Sequence, residues 1–270
     1  MASLLRNLTR LLGIGAGALG AYYLAQYAQR TPPLGKTRVI AHRGGPKYAP
    51  ENTLAAFAHA IAVGADMLEC DVHLSKDNVP VIIHDETLER TTNGAGWVMD
   101  KTYAELRQLD AGNGEPIPTL AEFIALGKKS GVELLIELKS PELYPGIEEY
   151  VLADLEAAAY LDHAVLQSFE WDSLRRLRQL KPTVRLGALY YKDFLDVSWP
   201  PADAEYVCPM AEAVLVNPGL VRQAHNEGRG VFVWFSKVES PFTYRFLRAF
   251  GVDGLIADDP VQAREALVEA

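Results

Sequence analysis

The sequence predicts an α/β protein built on a single (β/α)8 barrel, and three observations support this prediction. The length of 270 residues suits one barrel. Short apolar, β-rich runs alternate with amphipathic helical stretches, and ionisable residues gather where several of those runs end. The hydrophobic fraction of 49% and the charged fraction of 23% are ordinary for a folded protein. We therefore expect a catalytic barrel over residues 36–270, preceded by an N-terminal anchor and linker over residues 1–35.

The N-terminal segment has its own composition. Leu11 to Ala28 contains no charged residue, and Arg6, Arg10 and Arg30 flank it. This length is at the short end of what crosses a hydrocarbon core of roughly 30 Å. We predict a single hydrophobic helix that anchors the chain in a membrane as one pass. The side of the membrane on which the barrel lies is left open, because basic residues flank both ends of the helix. The alternative is a cleaved secretory signal, which would give a secreted protein.

Nine strand-like runs follow the linker, although a closed barrel needs eight. The second and third are separated only by Ser75 to Asn78, which is too short for a parallel crossover, so they should form an antiparallel hairpin with one strand outside the barrel. The turn-rich segment 87–118 predicts a small insertion after the third run. The runs are Val39 to His42, Met67 to Asp71, Val79 to His84, Val132 to Leu138, Ala164 to Ser168, Val184 to Leu189, Tyr206 to Cys208, Val231 to Phe235 and Gly254 to Ala257.

Charge and cysteine content exclude some classes of function. A net charge of -9 and a pI near 5.2 argue against nucleic acid as a partner, because nucleic-acid-binding proteins usually carry a basic face. Cys70 and Cys208 are too few for a disulfide scaffold, and their spacing matches no metal motif. Nothing in the composition determines the oligomeric state.

Ionisable residues lie at the ends of the first four strand-like runs. Alternation along a strand places Glu69 with Asp71, and Glu137 with Lys139, on the same face. The carboxyl ends of barrel strands converge on one mouth, where active sites are found. Three converging carboxylates repel one another unless a cation lies between them, and an all-oxygen set suits Mg²⁺ or Ca²⁺. We therefore predict that Glu69, Asp71 and Glu137 bind one divalent cation.

The same mouth carries groups suited to breaking a phosphodiester bond. Arg43 and Lys139 can neutralise charge that develops on a phosphoryl group. His42 and His84 are the candidates for proton transfer, because imidazole both accepts and donates protons near neutral pH. Trp234 is either a core residue or a wall of the substrate pocket, and the sequence leaves both readings open.

Other features favour plain structural roles. A strand-end carboxylate taken alone is more often a helix cap or half of a surface ion pair. We assign no role to the remaining histidines and expect them at the surface or on helix faces: His59, His73, His163 and His225.

These residues fall into a pattern that resembles the glycerophosphodiester phosphodiesterase family. The resemblance extends from Val39 to the C-terminus and implies a TIM (β/α)8 barrel with the predicted insertion, the same metal ligands, acid/base histidines and phosphate contacts. It also implies a further active-site carboxylate, Glu51, which either assists the metal or holds Arg43. The matching segments are His42 to Gly45, Pro50 to Thr53, Glu69 to Val72, Val81 to Asp85, Arg90 to Thr92, Ile117 to Leu120, Glu137 to Lys139, Gln167 to Phe169 and Asp253 to Ile256.

Two segments depart from the family pattern, at Trp234 to Lys237 and at Ile256 to Pro260, and both are expected at the rim of the barrel mouth. The resemblance implies metal-dependent hydrolysis of glycerophosphodiesters to glycerol 3-phosphate and an alcohol, in which a neighbouring glycerol hydroxyl can attack first. One alternative is a lysophospholipase D that acts at a membrane surface, which the predicted anchor favours. A second alternative is an inactive membrane-bound binding protein on the same barrel, but it predicts a missing histidine or ligand and none is missing.

Overall fold

The computed structural model describes residues 17–191 and 199–268. The strands are β1 (Arg38–Ala41), β2 (Met67–Leu74), β3 (Pro80–Ile82), β4 (Glu133–Leu138), β5 (Ala164–Ser168), β6 (Arg185–Tyr190), β7 (Tyr206–Pro209), β8 (Gly230–Trp234) and β9 (Gly254–Ala257). The helices are α1 (17–28), α2 (Leu54–Ala62), α3 (Tyr103–Leu106), α4 (Leu120–Ser130), α5 (Ile147–Ala157), α6 (Trp171–Leu180), α7 (Ala211–Val216), α8 (Gly219–Asn226), α9 (Pro241–Ala249) and α10 (Pro260–Val268).

Eight of these strands form a closed parallel barrel, so the predicted fold class is confirmed. Each barrel strand pairs in parallel with its neighbours, and β1 closes the ring by pairing with both β2 and β9. The remaining strand, β3, lies outside the barrel and pairs antiparallel with β2, with Val72 opposite Ile82. The predicted hairpin is therefore present. Its turn places Asn78 at a φ of 60°, and the Ser75 hydroxyl accepts a hydrogen bond from Val79 N–H.

The barrel interior is a packed core. It contains one buried apolar side chain from each barrel strand, and six of these have no exposed surface: Ile40, Met67, Leu135, Val165, Cys208 and Phe232. Larger apolar clusters lie outside the barrel wall, between the strands and the helices. The polar strand-end residues therefore extend beyond a filled interior, at the mouth of the barrel.

The helix α4 shows how the sequence sets the helical layer. Its buried positions Leu120, Phe123, Ile124 and Gly127 follow the spacing of one helical face. The Thr119 hydroxyl accepts a hydrogen bond from the backbone N–H of Glu122, and the Glu122 carboxylate accepts one from the backbone N–H of Thr119. Such a capping box stabilises the start of a helix by about 1 kcal/mol. The Phe123 ring packs on Phe57 of α2 with centroids 4.5 Å apart.

The segment 87–118 forms the predicted insertion after β3. It contains α3, a short 3-10 helix at Val98–Asp100 and a small apolar cluster that includes Leu88, Leu106 and Ile117. The insertion thereby carries its own core beside the mouth of the barrel.

The predicted membrane anchor is wrong. No helix within residues 17–191 and 199–268 is long and apolar enough to cross a membrane. The first third of the predicted span, residues 11–16, lies outside the described residues, and the rest forms α1. The Tyr23 ring packs edge-on against Phe246 of α9, and its hydroxyl donates to the Leu215 carbonyl at 2.7 Å. Tyr23 of α1 thus contacts both α9 and the end of α7.

Candidate active site

The barrel mouth contains a cleft of about 140 Å³ that brings most of the predicted site residues together. Asp71 lies beside it with no exposed surface, and Glu51 lies at its flank, bonded to Arg43. The lining residues are His42, Arg43, Glu69, His84, Glu137, Lys139, Gln167, Phe169, Leu189, Trp234, Phe235 and Ile256.

The three predicted metal ligands form one buried cluster. Asp71 and Glu137 are register partners on β2 and β4, and Glu69 is two residues before Asp71 on the same face. One oxygen of each carboxylate lies within 4.8 Å of the others. Burial and the nearby charge of Asp71 raise the pKa of Glu69 to about 8. Burial also favours a raised pKa at Asp71, but Arg43 and Lys139 outweigh it and hold the pKa of Asp71 below its usual range.

The cluster has the properties of a site for a hard divalent cation. The donors are all carboxylate oxygens, which Mg²⁺ and Ca²⁺ prefer. Asp71 Oδ1 is buried and accepts no hydrogen bond from the described residues. Burial first, and then the charges of Asp71 and Glu137, raise the pKa of Glu69, so its ionised form is unfavourable in the metal-free cluster. These residues therefore fit a bound cation.

A strained turn after β1 directs the backbone toward this cluster. Arg43 has a φ of 51°, in the left-handed region that is unusual for a residue with a side chain. Gly44 follows with a φ of 81°, and a Cβ there would lie 2.7 Å from Ala56 Cβ. The turn lets Arg43 N–H donate to Glu69 Oε2 at 2.9 Å. The strain is thus coupled to the orientation of a predicted metal ligand.

Glu51 holds two guanidinium groups at the flank of the cleft. It accepts from Arg43 Nη1 at 2.9 Å and forms a two-pronged pair with Arg90. Arg43 Nε also lies 3.3 Å from Asp71 Oδ2. Of the two roles considered for Glu51, these contacts correspond to holding Arg43, since the carboxylate cluster does not include Glu51.

Each predicted catalytic histidine is paired with an aspartate through Nδ1, at 2.6 Å: His42 with Asp258 and His84 with Asp85. This pairing leaves Nε2 of each ring for other partners. Burial lowers the pKa of His42, but the hydrogen bond to Asp258 and the charge of Glu69 raise it more, so the net pKa lies above the ordinary value. At His84, burial and the charge of Lys139 outweigh the attraction of Asp71 and lower the pKa.

Lys139 connects the carboxylates to one histidine. Its Nζ lies 3.0 Å from Glu137 Oε1 and 3.1 Å from His84 Nε2. Because an ammonium group has no lone pair, it donates to His84 Nε2, and His84 Nδ1 then carries the ring proton toward Asp85. His84 is therefore neutral in this arrangement.

An aromatic wall completes the cleft. Trp234 packs edge-on against Phe169 with ring centroids 5.7 Å apart. The Tyr191 ring centroid lies 6.3 Å from that of Trp234. Of the two readings of Trp234, the structure places it at the pocket wall. Phe169 and Tyr191 are 39% and 61% exposed, so the aromatic wall continues to the protein surface.

Sequence reasoning missed three residues of this site. Asp258 holds His42, Asn52 Nδ2 donates to Asp71 Oδ2 at 2.8 Å, and His73 is fully buried behind His84. The expectation that His73 lies at the surface is wrong, and strand alternation would have placed it on the face of Glu69 and Asp71. His225 lies on α8, as a helix-face residue, and its side chain is 3% exposed.

A family model for the glycerophosphoryl diester phosphodiesterase family matches residues 42–262, which cover the whole cleft. This chain belongs to that family. A glycerophosphodiester phosphodiesterase of Caldanaerobacter subterraneus is 40% identical over 236 residues, covering 83% of this chain and 95% of the relative.

Solved structures of family members agree with the barrel. A putative glycerophosphoryl diester phosphodiesterase from Silicibacter pomeroyi superposes with a TM-score of 0.79 at 28% identity, covering 89% of this chain and 95% of that one. A phosphodiesterase from Oleispira antarctica, solved with the product sn-glycerol-3-phosphate, superposes with a TM-score of 0.75 at 29% identity, covering 91% and 99%. The predicted family and fold are therefore confirmed.

Proposed function

We propose that the chain hydrolyses glycerophosphodiesters to glycerol 3-phosphate and a free alcohol in a reaction that depends on a divalent cation. One observation carries this proposal: a buried three-carboxylate cluster and two aspartate-paired histidines border one cleft at the barrel mouth. Family membership and the product complex of the Oleispira antarctica relative support the same reaction.

Glu69, Asp71 and Glu137 are the residues that would hold the cation. When bound, Mg²⁺ or Ca²⁺ would offset their charge and polarise a phosphoryl oxygen. Arg43 and Lys139 already contact these carboxylates, so a phosphate anion that enters the cleft meets two cations within reach. Both can neutralise charge as it develops on the phosphoryl oxygens.

The two histidines differ in the direction in which their pKa values depart from the ordinary one, and this difference suggests their roles. His42, with a raised pKa, keeps its proton near neutral pH and donates it to the departing alkoxide. His84, with a lowered pKa, is neutral and accepts at Nε2 the proton of the attacking glycerol hydroxyl. This attack forms a cyclic phosphate and releases the alcohol. Water then opens the cyclic phosphate to glycerol 3-phosphate, with the two histidines exchanging their roles. Lys139 occupies His84 Nε2 in the structure, and we propose that it moves to the phosphate when substrate binds.

The reaction is tested by incubating the purified protein with glycerophosphocholine and measuring glycerol 3-phosphate with a coupled dehydrogenase. EDTA should remove activity, and Mg²⁺ or Ca²⁺ should restore it. The variants Glu69→Ala and His42→Ala should lose at least about a hundredfold in kcat, the effect expected for a positioned acid or ligand. Full metal-dependent activity in both variants would refute the proposal.

Lysophospholipase D activity is the second candidate. The anchor that favoured it is wrong, but the exposed rings of Phe169 and Tyr191 extend the pocket wall outward from Trp234. Such a surface could cover part of an acyl chain as well as a small alcohol. Comparing kcat/KM for glycerophosphocholine and lysophosphatidylcholine, both below the micellar range, distinguishes the two. A Phe169→Ala variant should weaken only the lipid reaction if the rings contact the chain.

A further inference from the structure

We propose that His73 is a positioning residue that fixes the location of His84 relative to the carboxylate cluster. The inference rests on the proposed role of His84 and assigns a function to a fully buried histidine that the reaction itself does not use. His73 takes no part in proton transfer in this proposal. It acts through the backbone of His84.

The position of His73 in the sheet makes it a bridge between two parts of the site. It lies on β2, on the same face as Glu69 and Asp71 and two residues after Asp71. Its Nε2 lies 3.0 Å from the backbone oxygen of His84. The strand that carries two metal ligands is thus bonded directly to the segment that carries a predicted catalytic base.

The hydrogen bond from His73 to the His84 carbonyl continues the backbone pairing beyond the point where the β2–β3 ladder ends. Ile83 N–H donates to the Asp71 carbonyl at 3.1 Å, which is the last rung between β2 and the segment after β3. One residue later, the His84 carbonyl accepts a hydrogen bond from the His73 side chain instead of from a backbone N–H of a neighbouring strand. Without that donor, the backbone at His84 has more freedom to move, because no ladder bond holds it there.

A third segment orients the imidazole. A carbonyl oxygen can only accept, so His73 Nε2 carries the ring proton. Nδ1 then accepts from the Tyr144 hydroxyl at 3.0 Å, and the two rings meet edge-on with centroids 5.2 Å apart. Tyr144 is 4% exposed and follows β4, the strand that carries Glu137. The ring therefore links the carboxyl ends of β2 and β4 to the segment after β3.

The proposal predicts the effects of two substitutions at His73. Leu has a similar volume but no donor, whereas the amide of Gln can donate to the same carbonyl. His73→Leu should lower kcat about tenfold, since small misplacements of a catalytic group cost one to two orders of magnitude. KM and the metal concentration for half-maximal activity should change less than about twofold. His73→Gln should recover most of kcat.

His225 provides a matched control. It is also a buried histidine with two hydrogen bonds, to Thr31 Oγ1 at 2.6 Å and to Asp253 Oδ2 at 2.8 Å. It lies on α8, outside the cleft. His225→Leu should destabilise the fold as His73→Leu does but leave kcat within about twofold of the parent. An equal loss of kcat in both variants would indicate a general structural effect and would overturn the proposal.

Crystal structures of the parent and of His73→Leu give a readout that does not depend on activity. We expect the His84 backbone to shift by roughly 0.5 Å or more, the tolerance of a productive site. An unmoved His84, or a kcat within twofold of the parent, overturns the proposal. If His73→Leu does not fold, Tyr144→Phe decides, with a kcat loss of about threefold expected and an unchanged kcat contradicting us. An inactive parent would refute the proposed function, whereas a displaced His84 would still support the positioning role.

Discussion

Replacing Glu69 with glutamine should stabilise the metal-free protein while it removes activity. Glu69 is 1% exposed and lies beside Asp71 and Glu137, so its ionised form is unfavourable without a cation. The amide has nearly the same shape and can still accept the hydrogen bond from Arg43 N–H. The substitution therefore removes a repulsive charge and leaves the local packing in place.

The size of the effect follows from the pKa of Glu69, which is about 8 against an ordinary value of 4.5. At 1.36 kcal/mol for each pKa unit, this difference corresponds to roughly 5 kcal/mol of unfavourable free energy at pH 8. The pKa of about 8 already includes the attraction between this carboxylate and His42. We expect a net gain of about 2 kcal/mol or more in the free energy of unfolding at pH 8.

The pH dependence has a definite sign. Below pH 4.5 the Glu69 carboxyl is protonated in the folded and the unfolded protein, so the stability of the fold is at its full value. As the pH rises toward 8, the unfolded chain ionises first and the folded protein loses stability relative to it. The metal-free parent should therefore lose stability relative to Glu69→Gln across this range. Near pH 4.5 the two proteins should be nearly equal, because both then carry a neutral group at position 69.

Urea unfolding in EDTA at pH 5 and pH 8, followed by circular dichroism, measures this difference. Adding Mg²⁺ or Ca²⁺ at pH 8 should stabilise the parent and have little effect on the variant, since binding to the folded state alone raises stability. A Glu69→Gln protein that is less stable than the parent at pH 8 in EDTA would refute the reasoning about charge in this cluster.

Three further predictions concern other parts of the molecule. Asp258→Asn should lower kcat about tenfold and shift the alkaline limb of the kcat profile to lower pH, because the raised pKa of its histidine partner depends on Asp258. Lys139→Met should lower kcat/KM for glycerophosphocholine about a hundredfold with an unchanged circular dichroism spectrum. Gly251→Ala should cost more than about 2 kcal/mol in urea unfolding, because its Cβ would lie 2.1 Å from the Thr31 carbonyl oxygen, whereas Gly64→Ala, also at positive φ but in open space, should cost about 1 kcal/mol.

The sequence was sufficient to predict the fold and much of the site because both depend on strand periodicity. Two-residue alternation placed Glu69 with Asp71, and convergence of strand ends placed both near Glu137. The hairpin that excludes β3 followed from the length of a four-residue connection. These are local or topological rules, and a single sequence contains all that they require.

The partners of the histidines depended on long-range contacts that no periodicity encodes. Asp258 reaches His42 from a position 216 residues away, across the seam where β9 meets β1. His73 was given no role, because its two hydrogen-bond partners lie in the segments after β3 and β4. Barrel closure creates these contacts, so they become visible only once the strands have been arranged in space.

The error at the N-terminus has a related physical cause. Hydropathy registers the apolar side chains of residues 17–28, but it does not show whether they contact lipid, protein or water. The polar atoms make the distinction, since the Tyr22 and Tyr23 hydroxyls donate to the Val216 and Leu215 carbonyls at 3.3 and 2.7 Å. Those carbonyls belong to the last turn of α7, where a helix leaves acceptors unpaired. Tyr22 and Tyr23 thus complete the end of a neighbouring helix.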